Sequence, residues 1–225
     1  MPPATLLTMS RQQRSKYDSQ SEMAYQILKE KIITLELPPA SLLNEAELMD
    51  ELELGRTPIR EALRQLAFEN LVVILPRRGT IVADVNASDL QKIFEIRLDL
   101  EVCAVRLATE RATPDQIREM EKLFEGIDDT VKQGDHHELI ALDHQAHVMI
   151  AQASHNEFLE TMLDRLYTHI LRLWYVSLHE VSHLSDAVVE HQELVTAIKA
   201  RDVQKAEQIM RDHIMGFQTM FLTVL

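Results

Sequence analysis

Gly55-Arg56-Thr57-Pro58-Ile59-Arg60-Glu61-Ala62-Leu63-Arg64-Gln65-Leu66 is the stretch whose reading decides the fold. Thr57 is an N-cap residue type, and Pro58 suits the first helical position, where a missing N–H costs nothing. Ile59, Leu63 and Leu66 recur at i, i+4 and i+7, with Ala62 and Ala67 beside them, so one side of a helix running to about Asn70 faces a core. Arg60 and Arg64 are one turn apart on another side, and Arg56 lies a further turn before them. The helix therefore carries an apolar face and a cationic face.

Working outward, Ser21 to Leu35 reads as an amphipathic helix stopped by Leu37-Pro38-Pro39. Asn44, with Glu47 three residues on, caps a short helix from Glu45 to about Leu52, and Leu54-Gly55 makes a tight connection into the arginine-bearing helix. Beyond it, Val72–Leu75 and Thr80–Asp84 are β-type runs joined by Pro76-Arg77-Arg78-Gly79. Helix, helix, helix, hairpin is the order of a winged helix-turn-helix. From Asn86 onward the strand signals stop. Six helical stretches follow, predicted at about 89–111, 114–132, 137–153, 156–178, 185–200 and 202–224, with breaks at Gly134-Asp135, Ser154-His155-Asn156 and His183-Leu184-Ser185. Short connections between them imply an antiparallel all-helical bundle. The predicted fold is thus mainly α: a disordered arm over residues 1–20, a winged helix-turn-helix over 21–84, and a bundle of about six helices over 85–225.

The bulk composition fits this division. Of 225 residues, 46% are hydrophobic and 26% charged, as in an ordinary globular protein. No apolar run reaches transmembrane length, and the polar, Arg- and Pro-containing start does not read as a signal peptide. The lone Cys103 cannot form an intrachain disulfide and reads as a small buried hydrophobe; a reducing, cytoplasmic setting is expected. The net charge of −13 argues against a protein that coats nucleic acid indiscriminately. The charge is uneven, however. Gly55 to Thr80 holds Arg56, Arg60, Arg64, Arg77 and Arg78 against Glu61 and Glu69 only, a basic island suited to one polyanion-docking face.

On that island the arginine fork can bind guanine O6 and N7 or a phosphate. Thr57 and the adjacent backbone amides could hold a phosphate at the helix N-terminus, and the Arg77-Arg78-Gly79-Thr80 wing could reach an adjacent groove. The competing reading is a solvated helix whose arginines pair with Glu61, Glu69 or the acidic helix before it.

All ten histidines lie between His136 and His213. Most sit near predicted helix ends or in polar surroundings. Asp143 and His147 are i, i+4 on one helix, His191 lies within the next helix but one, and His213 within the last. A bundle could bring one carboxylate and three imidazoles onto a divalent ion such as Zn²⁺, Ni²⁺ or Mn²⁺. Spacing alone also allows ordinary surface or core histidines.

The helix and wing, Gly55 to Leu66 with Glu69-Asn70-Leu71-Val72 and Arg78-Gly79-Thr80-Ile81-Val82, resemble the GntR family of winged-helix regulators. That resemblance implies DNA contact by Arg56, Thr57, Arg60 and Gly79, with Arg64 and Arg78 as helpers. Some relatives place a phosphate-binding arginine on the second helix. Glu45-Ala46-Glu47 stands there in this chain, which implies a weaker or less salt-dependent grip. The remainder resembles the FCD-type effector domain, through Phe94-Glu95-Ile96-Arg97-Leu98-Asp99-Leu100-Glu101, Leu142-Asp143-His144-Gln145-Ala146-His147, Ala153-Ser154-His155-Asn156, His191 to Ile198, and Ala206 to His213. The resemblance implies that Asp143, His147, His191 and His213 hold a metal and that Arg97 faces the cavity, where it could pair with an organic acid. The plain alternative for Arg97 is an ion pair with Glu101 one turn on, and Trp174 and Tyr175 could line the pocket or simply pack. Ala146 replaces an aromatic residue and would leave the pocket roomier.

The expectation is a homodimeric regulator, a repressor in many relatives, that binds a near-palindromic double-stranded operator and answers to a small organic acid, without membrane association or enzymatic activity. Two rivals stand beside it: a metal-dependent hydrolase fused to a DNA-binding module, and a regulator for which the metal itself is the signal.

Overall fold

The computed structural model describes residues 19–126, 136–177 and 184–224. The arm expected over 1–20 lies outside them up to residue 18, as do Gly134-Asp135, His179 and His183. The chain divides into two compact units, Met1–Val85 and Asn86–Leu225.

In the first unit, α1 spans Gln20–Ile33 and is capped by Ser19, whose hydroxyl accepts from Glu22 N. β1 is Leu42–Leu43. Helix α2 spans Glu45–Leu52; Asn44 accepts from Ala46 N and donates to Glu47 Oε1 at 2.9 Å. Helix α3 spans Arg56–Phe68. Its cap residue is Gly55, without a side-chain cap bond, so Thr57 and Pro58 fall inside the first turn rather than at its boundary. Proline is tolerated there because the first-turn N–H groups have no intrahelical acceptor. Strands β2 (Val72–Leu75) and β3 (Gly79–Val82) follow.

The sheet has the order β1-β3-β2, all antiparallel, with Leu43 and Ile74 both opposite Thr80. A strand at Leu42–Leu43 had no signature in the sequence, since two residues show no alternation. The wing turn is closed by Arg78 N donating to Leu75 O. Pro76 precedes Arg77, whose φ is 63°, the pattern of a type II turn. Gly79 has a φ of +103°, and a Cβ there would come within 3.3 Å of Leu42 Cδ1, so glycine is required on both counts. Ala24, Leu28 and Ile32 of α1 pack with Ile59, Ala62, Leu63 and Leu66 of α3, and with Leu71 and Val82 of the sheet side, in one core. Beside it a buried polar cluster ties α1 to the end of α3: Tyr25 donates to Glu69 Oε1 at 2.6 Å, Lys29 donates to the Tyr25 hydroxyl at 3.1 Å, and Lys29 lies 3.4 Å from Glu69 Oε2. Burial, then the Glu69 hydrogen bond, push the Tyr25 hydroxyl up to about 12.

The second unit has six helices among the described residues: α4 Ala87–Arg111, α5 Pro114–Leu123, α6 His136–Ala153, α7 Glu157–Ser177, α8 Leu184–Lys199 and α9 Val203–Val224. Asn86 caps α4, and Thr113 with Gln116 forms a capping box on α5. Helix α5 stops at Leu123, short of the predicted 132, because Phe124 and Glu125 turn back onto Glu121 and Lys122 before Gly126 at φ +76°. Helix α4 packs on α9, α6 and α7, and α8 packs on α9 and α6. Arg201, in the turn before α9, donates to Thr109 O and Ala112 O at 2.6 Å and so fixes that turn to the end of α4. Trp174 sits edge-on to Phe217 and Phe221, with centroids at 4.9 and 4.8 Å, as a core residue. Cys103 is half-buried, less sheltered than expected. Among the described residues no helix is long and apolar enough to cross a membrane.

Candidate metal centre and nucleic-acid interface

In the first unit, α3 presents Arg56, Thr57, Arg60 and Arg64 on its exposed side, opposite buried Ile59, Ala62, Leu63 and Leu66. The wing adds exposed Arg77, Arg78 and Gly79. Arg60 Nε is 2.9 Å from Glu45 Oε2 on α2. Arg56, Arg64, Arg77 and Arg78 have no ion pair among the described residues. Thr80 is a correction to the sequence reading: it is 5% exposed, because it belongs to the middle strand and its alternation turns it inward with Val82. Its side chain is not on the wing surface.

In the second unit, five helices converge on one buried cluster. Asp143 and His147 come from α6, His191 from α8, His213 from α9, Arg97 and Glu101 from α4, and Tyr167 from α7; each is almost fully buried. One ligand atom from each of Asp143, His147, His191 and His213 lies within 4.8 Å of the others. Asp143 Oδ1 is 3.9 Å from His147 Nε2, 3.8 Å from His191 Nδ1 and 3.6 Å from His213 Nε2. These separations are long for hydrogen bonds but suit donors each about 2.0–2.2 Å from a shared ion.

The outer partners fix which nitrogens face inward. His147 Nδ1 is 2.9 Å from Glu101 Oε1, and His213 Nδ1 is 2.8 Å from Glu190 Oε2. A carboxylate only accepts, so His213 Nδ1 carries its proton and its Nε2 can present a lone pair; Arg97 only donates, so His147 Nε2 faces it as an acceptor. The two Nε2 atoms lie 3.3 Å apart, and Arg97 Nη2 stands 3.1 Å from that of His147. Lone pairs in this relation call for a cation or a proton between them. Asp143 Oδ1 is buried without a hydrogen-bond partner, while Oδ2 accepts from Tyr167. The donor set, its tautomers and this orphaned oxygen fit a divalent ion.

The electrostatics agree. Burial pushes the Asp143 carboxyl up, but the three imidazoles around it, His213 first, outweigh burial and hold it well below the usual range. Burial likewise opposes ionisation of Glu101, and His147 and Arg97 win, lowering it. Burial lowers His213, but Asp143 and Glu190 raise it above its ordinary value. Burial and Asp143 together lift the Tyr167 hydroxyl well above its own.

Of the two roles weighed for Arg97, the ion pair with Glu101 is present in the structure. Arg97 pairs with Glu101 at 3.3 Å, and it borders the cluster while lying over the Tyr167 ring at 5.0 Å. Sequence reasoning missed Tyr167 and Glu190. Glu190 precedes His191 yet serves His213 on the next helix, a pairing that no spacing within α8 reveals.

Comparison with known proteins gives a consistent result. Residues 92–216 match the FCD domain, and residues 20–82 match the description "Bacterial regulatory proteins, gntR family". The "HTH-type transcriptional repressor GlaR" of Escherichia coli K12 is 32% identical over 202 residues, covering 85% of this chain and 90% of its own. The solved structure "E. coli McbR/YncC" superposes with a TM-score of 0.81 at 23% identity, covering 92% of this chain and 99% of that one. A GntR regulator from Rhodococcus sp. RHA1 gives 0.77 at 18% identity, with 92% and 99% covered.

Proposed function

Because this chain belongs to the gntR family of bacterial regulatory proteins and carries an FCD domain, we propose that it is a cytoplasmic, homodimeric repressor whose hold on operator DNA is set by a small carboxylate at a divalent-metal centre. It is a DNA-binding transcription regulator; the metal and effector control is the step beyond. The observation that carries this step is the inward-facing set of Asp143, His147, His191 and His213, with its orphaned carboxylate oxygen.

Those four residues would hold Zn²⁺, Ni²⁺ or Mn²⁺, and imidazole-rich ligation favours the first two. When bound, the ion supplies a Lewis-acidic point at which an effector carboxylate can be received. Glu101 and Glu190 orient the His147 and His213 rings, and Tyr167 holds the second oxygen of Asp143. Arg97, against the same donor atoms, is the cation at hand for the effector's carboxylate.

On the DNA side, Arg56, Thr57, Arg60 and Arg64 would enter the major groove, and Arg77, Arg78 and Gly79 the flanking groove or backbone. Two copies of α3 would read a near-palindromic site. Effector binding shifts operator affinity only if the effector prefers one arrangement of the regulator, so the decisive experiment measures both. Metal content by elemental analysis should be one ion per chain. Operator binding by anisotropy should respond to carboxylates only with the ion present. A response to metal alone would make the ion itself the signal, and turnover of a carboxylate by the purified protein would restore the hydrolase alternative.

A further inference from the structure

The DNA-binding unit is not uniformly cationic. From Glu22 to Glu53 two lysines stand against eight carboxylates, so the chain that forms α1 and α2 is acidic and separates two basic stretches. One is the island from Arg56 to Arg78. The other is Ser10-Arg11-Gln12-Gln13-Arg14-Ser15-Lys16-Tyr17-Asp18, where three cations meet a single carboxylate and Gln12, Gln13 and Ser15 add hydrogen-bond donors. The structure shows where this second stretch joins the folded unit. Ser19, the residue after it, caps α1, and Ser21 donates to Glu61 Oε2 on α3. Glu61 is exposed and lies one helical turn from both Thr57 and Arg64. The chain therefore enters α1 at the rim of the α3 face that carries Thr57 and Arg64. At about 3.5 Å per residue, Lys16 can stand up to about 17 Å from Ser21, and Arg11 up to about 35 Å. Half a helical turn of duplex, the step from a major groove to the neighbouring minor groove, is about 17 Å. The cations of this stretch are thus tethered within reach of the groove beside the one that α3 would enter.

We propose that residues 10–18 are a second DNA-contacting element: Arg11 and Arg14 enter the minor groove beside the α3 site, and Lys16 pairs with a phosphate at its edge. Arginine and glutamine suit that groove, whose negative potential favours a guanidinium. The inference rests on the reading of α3 as the helix that enters DNA. The acidic run from Glu22 to Glu53 offers the stretch a rival docking place on the protein itself, and the experiment separates the two.

The test uses the full-length chain and duplexes of about three helical turns, recovered by that chain from a randomised library, with fluorescence anisotropy as the readout. The triple variant Arg11→Gln/Arg14→Gln/Lys16→Gln is expected to bind about tenfold more weakly and to flatten the slope of log K against log salt by about 2–3 per chain. Trimming the duplex to the segment that the triple variant protects should weaken the wild-type chain by a similar factor and leave the variant as it was. Unchanged affinity and slope in the triple variant overturn the inference. So does tighter binding, which would mean that the stretch covers acidic protein surface, and so does a loss that trimming fails to reproduce. In each of these cases a loss for Arg60→Ala in the same assay leaves the reading of α3 standing, whereas no loss with either variant sinks both.

Discussion

Glu45 Oε2 lies 2.9 Å from Arg60 Nε, joining α2 to the exposed face of α3. Both partners are substantially solvated, with side-chain exposures of 52% for Arg60 and 35% for Glu45, and pairs of that kind contribute about 0–1 kcal/mol. The bond therefore aims Arg60 without locking it away from DNA. Arg60→Ala is expected to weaken operator binding by about 1–3 kcal/mol, roughly 5- to 150-fold, whereas Glu45→Gln should change it by less than about fivefold. Fluorescence anisotropy on operator duplexes measures both. An unaltered affinity for Arg60→Ala would remove α3 from the groove.

The wing is expected to act differently. Arg77 and Arg78 lie on an exposed turn, with no acidic partner among the described residues, and such a loop is expected to touch phosphate rather than read bases. Arg78→Ala should lower affinity for specific and nonspecific duplexes alike and reduce the slope of log K against log salt by about 1. A loss confined to the specific operator would mean that Arg78 reads bases.

The fold was legible because its signals are periodic. The i, i+4, i+7 stripe of Ile59, Leu63 and Leu66 could belong only to a helix, and Pro76 to Gly79 only to a turn. What escaped was short or non-local. Leu42–Leu43 is a strand only because Ile81 and Thr80 lie opposite, and Thr80 is buried because the β3 alternation puts it on the same inner face as Val82. Asp143 and His147 could be seen as a pair on one helix. Their meeting with His191, His213, Glu101 and Tyr167 depends on how five helices cross, which no local pattern encodes.

The outer carboxylates of the metal cluster are expected to matter nearly as much as the ligands. Glu190→Gln leaves all four donor side chains but removes the anion behind His213 Nδ1. Metal affinity should fall about 10- to 100-fold, read by competition with a chromophoric chelator. His147→Ala combined with His213→Ala should abolish stoichiometric metal. Unchanged content in that double variant would place the ion elsewhere.

The same groups give metal-free and metal-loaded protein opposite responses to pH. His213 is raised above its unfolded value of about 6.5, so its contribution to stability is complete below that pH and is lost as pH rises through the folded value. Asp143 is lowered, so its contribution is present above about pH 4 and is lost as pH falls toward its folded value. From these two groups, metal-free protein should be most stable between about pH 4 and 6.5. Metal binding requires His213 to give up its proton, so affinity should keep rising above pH 6.5. Melting temperatures of both forms from pH 5 to 8.5 are expected to diverge with increasing pH; parallel curves would count against His213 as a ligand.

The buried Tyr25–Glu69 bond offers a test confined to the DNA-binding unit. Tyr25→Phe keeps the ring but removes the 2.6 Å donor to Glu69 Oε1 and the acceptor for Lys29. Leaving buried polar atoms short of a partner costs about 1–3 kcal/mol. In a domain of this size each kcal/mol lowers the melting temperature by about 4–8 °C. Trp174, the sole tryptophan, lies in the core of the other unit, so its fluorescence reports on the helical bundle, whereas far-UV circular dichroism reports on both. The variant should lose part of its helical signal earlier on heating while the Trp174 transition stays in place. Coincident, equally shifted transitions would show that the two units unfold as one and that the cluster stabilises more than the end of α3.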